Sequence, residues 1–120
     1  MAGGVLSAPR RGWRLWYAMT SGIVWWLVHV TSLAALAEVR CGRAAVEWTI
    51  HGLTVFTGAA TLVAIAWSAS LIRAYHDDAA SATEGGRLRF CGLFGLAVST
   101  TSLVLIAWEG LYVPFVDACR

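Results

Sequence analysis

Three ionisable side chains stand in or beside long apolar runs of this chain, and they have the clearest capacity for chemistry. They are His29, His51 and Glu109. An ionisable residue inside a membrane span is costly to bury and is by default a functional candidate. At a rise of about 1.5 Å per residue, His29 lies about 12 Å before the end of its run and His51 about 6 Å after the start of its own. We therefore expect all three near one end of the molecule.

Three interpretations of these side chains stay open. In the favoured one they are structural: His29 bonds a hydroxyl or carbonyl, while His51 and Glu109 lie in the wet interface. In the second, His29 and His51 are ligands of a haem b iron or of a metal ion. In the third, His51 and Glu109 form a proton or quinone site. Because the chain has no acid pair, activated nucleophile or phosphate loop, we expect no enzyme and no cofactor.

The apolar runs must position these side chains. Leu15–Ala37, Trp48–Ile72 and Phe90–Trp108 contain no Lys, Arg, Asp or Glu, and 13% of the 120 residues are charged, against roughly 25% in soluble domains. Runs of about 20 apolar residues cross a bilayer as helices. The first run also exceeds a signal-peptide core of roughly 7–15 residues. The prediction is one all-α integral membrane domain, 1–120, a three-helix bundle with spans near 15–37, 48–72 and 90–113.

Arginine placement predicts the orientation of this bundle. The N-terminal segment and loop 73–89 share one side and hold six of the nine Arg, whereas the other side holds three. The positive-inside rule then puts the N-terminus and loop 73–89 in the cytoplasm and the C-terminus outside. Aromatic residues at the run ends agree, since such rings favour the headgroup level. We expect a multi-pass protein of the bacterial inner membrane in contact with lipid, and a net charge of +2 indicates no nucleic-acid partner.

This orientation places the three cysteines in compartments of different redox state. Cys41 and Cys119 fall on the outer side, where the compartment is oxidising, whereas Cys91 falls on the cytoplasmic side. The sequence therefore predicts a Cys41–Cys119 disulfide and a free Cys91 thiol.

Small and hydroxyl residues recur at helical spacing within all three runs and predict packing faces. In the first run, Gly22 and Ser32 accompany His29 and Trp25 or Trp26. In the second run they accompany His51 and Ser68, and in the third they precede Glu109. The predicted packing residues are Thr54, Gly58, Thr61, Gly92, Gly95, Ser99 and Ser102. The faces either close an internal bundle, which we favour, or pack against a partner membrane protein.

Several short segments resemble small three-span proteins that bacteria encode near genes for haem–copper (aa3/caa3-type) cytochrome c oxidases. The similar segments are Trp-Leu-Val-His at 26–29, Cys41, His-Gly-Leu-Thr at 51–54, Arg-Phe at 89–90 and the tail 112–119. Ala118 departs from the proline expected before the final cysteine. The resemblance implies a non-catalytic accessory or assembly subunit of a respiratory oxidase, with oxidase subunits as partners.

A second resemblance is to the haem b-binding or quinone-site membrane anchor of succinate dehydrogenase, which has similar length, span number and orientation. Against it, the chain lacks the Ser-x-x-x-His motif and an Asp-Tyr pair after the second-span histidine. This alternative would make the protein a redox subunit.

Overall fold

The computed structural model describes residues 4–41, 43–77 and 84–115 as three long helices and one short turn. The helices are α1 (Gly4–Ala37), α2 (Ala44–Ala74) and α3 (Glu84–Tyr112), and a 3-10 turn, Val113–Phe115, follows α3. No strand occurs in these described ranges. The all-α prediction is confirmed, and each helix is long and apolar enough to cross a membrane.

All three helices extend beyond the apolar runs that predicted them. α1 starts 11 residues before Leu15, and α2 and α3 each start several residues early. Charged residues are tolerated there because helix ends outside the hydrocarbon layer remain solvated. α3 ends just before Val113 and Pro114, as expected because the residue preceding a proline is disfavoured in the helical conformation. The connection between α2 and α3 is consequently shorter than the predicted loop 73–89.

The helices run up, down and up, and each packs on both others. The molecule measures 62 × 27 × 16 Å, so its long axis follows the helices. We call the end that holds the α1–α2 connection and the last residues of α3 the α1–α2 end. The opposite end, which holds the start of α1 and the connection between α2 and α3, is the α2–α3 end.

The bundle interior is built largely from small and hydroxyl-bearing side chains. Its buried polar residues are Ser21, His29, Thr57, Thr61, Ser68, Ser99 and Ser102. Large apolar side chains such as Phe56, Leu62 and Val104 are exposed instead. Polar atoms inside and large apolar groups outside are the arrangement expected of helices that pack in lipid, where close approach and hydrogen bonds hold helices together.

Two glycines permit the closest approach of α1 and α3. A Cβ on Gly22 would lie 2.8 Å from the Cα of Ser99. A Cβ on Gly95 would collide with the carbonyl oxygen of Ala18. Both obstacles are backbone atoms, which cannot rotate away, so any side chain at these positions forces the helices apart.

Aromatic residues lie at both ends of the bundle, and most project outward. Trp13 and Trp16 are exposed at the α2–α3 end, and Trp48 and Trp108 at the other. Such belts suit the headgroup layers of a bilayer. Tyr17 differs, because its hydroxyl donates to the Ala60 carbonyl at 3.1 Å, and it joins α1 to α2.

Candidate functional site

His29 lies at the centre of the one buried ionisable cluster within the described part of the chain. α1 places its side chain between α2 and α3, where it is 0% exposed. Its Nδ1 is 3.3 Å from Oγ1 of Thr57 on α2. Its Nε2 is 4.0 Å from Oε2 of Glu109 on α3. Because each ring nitrogen faces a different neighbouring helix, His29 connects all three helices.

Thr57 and Trp26 complete this group, which we call the His29 cluster: Trp26, His29, Thr57 and Glu109. The Thr57 hydroxyl is 2.8 Å from the Leu53 carbonyl one turn earlier. The Trp26 indole donates its N–H to Oε1 of Glu109 at 3.3 Å. The Glu109 carboxyl is thus held between an indole donor on one oxygen and an imidazole on the other.

Two facing polar atoms of the His29 cluster have no hydrogen-bond partner among the described residues. They are Nε2 of His29 and Oε2 of Glu109, and both are buried atoms. The Glu109 side chain as a whole is 30% exposed. The cluster therefore reaches from the dry interior to the surface of the bundle near the α1–α2 end.

His51 lies apart from this cluster. It is exposed on α2 and lines a cavity of about 240 Å³ together with Arg40, Glu47, Ile50 and Val113. Thr57 is six residues further along α2, so at 100° per residue the two side chains leave different faces. In the ranges described, His29 has its ring contacts with Thr57 and Glu109 rather than with His51. The two alternative interpretations, His29 and His51 as ligands of an iron or metal ion and His51 with Glu109 as a proton or quinone site, stay predictions.

Arg40 closes the α1–α2 end beside His51. Its Nη1 donates to the carbonyl of Val113 at 2.6 Å, and its Nη2 is 3.7 Å from Oε1 of Glu47. This guanidinium joins the α1–α2 connection to the end of α3 and to α2. These contacts indicate that Arg40 and Glu47, which line the cavity, have a structural role.

The predicted packing residues are either buried or half-buried. All four predicted residues of α3 are buried: Gly92, Gly95, Ser99 and Ser102. On α2, Thr61 is buried, whereas Thr54 and Gly58 are half-buried. The buried stripe of α2 is Ile50, Thr57, Thr61, Ala64 and Ser68. It shares Thr61 and Ser68 with the predicted stripe but begins at Ile50 rather than His51, and His51 is exposed.

The two cysteines that the structure describes are in different states. Cys91 is free and half-buried at the α2–α3 end. Cys41 is not a free thiol. Cys119 lies outside the described residues, so its pairing with Cys41 stays a prediction.

An open groove runs between the middle parts of α1 and α3. It has a volume of about 450 Å³ and is lined by Ile23, Trp26, Ala97, Val98, Thr101, Ser102 and Leu105. Ala97 and Thr101 are exposed and one turn apart on α3. The groove adjoins the His29 cluster because Trp26 belongs to both.

No known protein family, curated protein or solved structure matches this chain. In the described residues, no group of three or more His, Cys, Asp or Glu is placed to hold a metal ion. Sequence reasoning missed Thr57 as a partner of His29. Continuing the buried stripe from Ser68 by steps of three and four through Ala64 and Thr61 reaches Thr57, and this signal could have found it.

Proposed function

We propose that this protein is a non-catalytic accessory or assembly subunit of a larger membrane complex, which it contacts through the α1–α3 groove. The resemblance noted in the sequence makes subunits of a respiratory haem–copper oxidase the proposed partner. The observation that carries this proposal is the groove itself, which is an open indentation on the outside of the bundle between the middle parts of α1 and α3.

The side chains of the groove floor suit a partner helix better than lipid alone. Ala97 and Thr101 are small and exposed at i and i+4 on α3, and small residues one turn apart allow a second helix to approach closely. The Thr101 hydroxyl is 2.9 Å from the Ala97 carbonyl, so its hydrogen is already used within the helix. Ile23 and Leu105 form taller walls on either side.

The His29 cluster supports this role over the alternative of a haem b or quinone-site subunit. Two axial ligands need ring nitrogens that are directed at one iron. His29 instead directs one nitrogen at Thr57 and the other at Glu109, and His51 leaves α2 on another face. We interpret the cluster as a contact that joins the three helices.

The proposed orientation puts the α2–α3 end in the cytoplasm of a bacterium and the α1–α2 end outside. Arg14, Arg73, Arg87 and Arg89 belong to the first end, and Arg40 and Arg43 to the second, as the positive-inside rule requires of this orientation. A Cys41–Cys119 disulfide would then lie in the oxidising compartment. It would tie the end of the chain to the α1–α2 connection.

Co-purification from native membranes tests the proposal. The affinity-tagged protein is extracted in mild detergent, and bound proteins are identified by mass spectrometry. We expect oxidase subunits with the wild type, a loss of at least tenfold with Ala97→Leu, and no loss with Ala59→Leu. Both substitutions place leucine at an exposed alanine inside a span, but only Ala97 lies in the groove. Equal recovery with both variants, or no oxidase subunit with the wild type, contradicts the proposal.

A further inference from the structure

The hydrogen bonds of Thr57 determine where protons must be in the His29 cluster. A threonine hydroxyl has one hydrogen to donate. The Thr57 hydroxyl is 2.8 Å from the Leu53 carbonyl and 3.3 Å from His29 Nδ1. The shorter contact is also the usual one for threonine in a helix, where the hydroxyl donates to the carbonyl four residues earlier. The hydroxyl hydrogen is therefore used within α2.

With that hydrogen used within α2, the 3.3 Å contact is a hydrogen bond only if Nδ1 of His29 carries a hydrogen of its own. In a neutral imidazole with a hydrogen on Nδ1, Nε2 has only a lone pair. That lone pair is directed at Oε2 of Glu109, 4.0 Å away, and an ionised carboxylate has only acceptor oxygens. Two acceptors would face each other in the buried interior, with neither atom hydrogen-bonded to another described residue.

One additional proton resolves this conflict. We propose that His29 and Glu109 form a buried proton-binding site that holds one proton between Nε2 and Oε2, besides the proton on Nδ1. Whether the proton resides on the ring or on the carboxyl, the pair has no net charge. Without it the pair carries one buried negative charge, which is costly in a membrane span. The Glu109 side chain is 30% exposed, so it has room to close the separation to a hydrogen bond of about 3 Å.

The surroundings of the site favour a single bound proton. Glu109 is the ionisable group that contacts His29 in the described residues, and α2 presents the uncharged Thr57. The charged groups nearer the α1–α2 end, Arg40 and Glu47, line the separate cavity with His51. Exchange with water would proceed through the exposed part of Glu109. Trp26 holds the other carboxyl oxygen and also lines the groove, so an occupant of the groove would touch a residue of the proton site.

Solid-state NMR of the protein in lipid bilayers tests this inference. A His51→Gln/His76→Gln variant retains His29 as its single histidine, and both replaced side chains are exposed. Ring ¹⁵N labels report the protons on Nδ1 and Nε2, and carboxyl ¹³C labels on glutamate report the ionisation of Glu109. We expect Nδ1 to be protonated at neutral pH and one further proton on either Nε2 or the Glu109 carboxyl.

Matched variants assign the signals. Glu109→Gln should remove the carboxyl signal of the pair and leave a neutral ring protonated at Nδ1, whereas Glu47→Gln at the same end should leave the His29 signals unchanged. Thr57→Val should shift the Nδ1 signal because it removes that acceptor. An unprotonated Nδ1 in the wild-type pair, or a neutral ring beside an ionised Glu109, overturns the proposal. This inference does not depend on the groove binding a partner, so the two proposals fail separately.

Discussion

Substitution of Gly22 by alanine tests whether α1 and α3 pack as closely as the structure indicates. The new Cβ would lie 2.8 Å from the Cα of Ser99 and 3.1 Å from its backbone nitrogen, and both distances are shorter than the ordinary contact range of 3.4–4 Å. These are backbone atoms, so relief requires a shift of a whole helix. Overpacking of this kind costs about 1–3 kcal/mol. Alanine also favours the helix over glycine by up to about 1 kcal/mol, and this gain partly hides the cost.

Gly52→Ala is the matched control for this measurement. Gly52 lies in the interior of α2, and a Cβ there meets nothing within 4 Å. The helix-propensity gain applies to both variants. The difference between their free energies of unfolding therefore isolates the steric cost. We expect Gly22→Ala to be about 2 kcal/mol less stable than Gly52→Ala, measured by reversible unfolding in mixed micelles followed by circular dichroism. Equal stabilities would refute the close packing of α1 on α3.

Three further predictions concern the cysteines, the orientation and the histidines. Without reductant, the denatured protein should react at one thiol per chain, Cys91, and at three after reduction, by thiol titration; three reactive thiols before reduction would exclude the Cys41–Cys119 disulfide. A reporter enzyme that works only outside the cytoplasm should be active when fused to the C-terminus and inactive when inserted in the loop between α2 and α3. The reverse result would show that the protein has the opposite orientation. The purified protein should have no Soret band, whereas a Soret band lost in both His29→Ala and His51→Ala would favour the haem-carrying alternative.

The sequence predicts the helices well because their signal is local. Each span is a continuous apolar run, and no other backbone structure satisfies its polar groups in lipid without a partner. The small residues of α3 were also found from spacing alone, since Gly92, Gly95, Ser99 and Ser102 repeat every three or four positions. These features depend on neighbours within one helix.

The site depended on contacts between helices, and spacing alone misplaced part of it. His29 meets Thr57 and Glu109 only because of the relative rotation and axial register of three helices, which short-range patterns do not specify. The predicted stripe of α2 included His51, which is exposed, and omitted Thr57, which is buried. The ionisable ring of His51 suggested a functional pairing, whereas Thr57, which does not ionise, gave no reason to single it out.

Site-specific photo-crosslinking in native membranes tests the central claim, that the α1–α3 groove binds another membrane protein, most directly. A photoreactive amino acid replaces Leu105 at the wall of the groove or, as the matched control, Leu62 on the exposed face of α2. We expect an adduct with a respiratory oxidase subunit from position 105 and none from position 62. No protein adduct from position 105, or equal adducts from both positions, would contradict it.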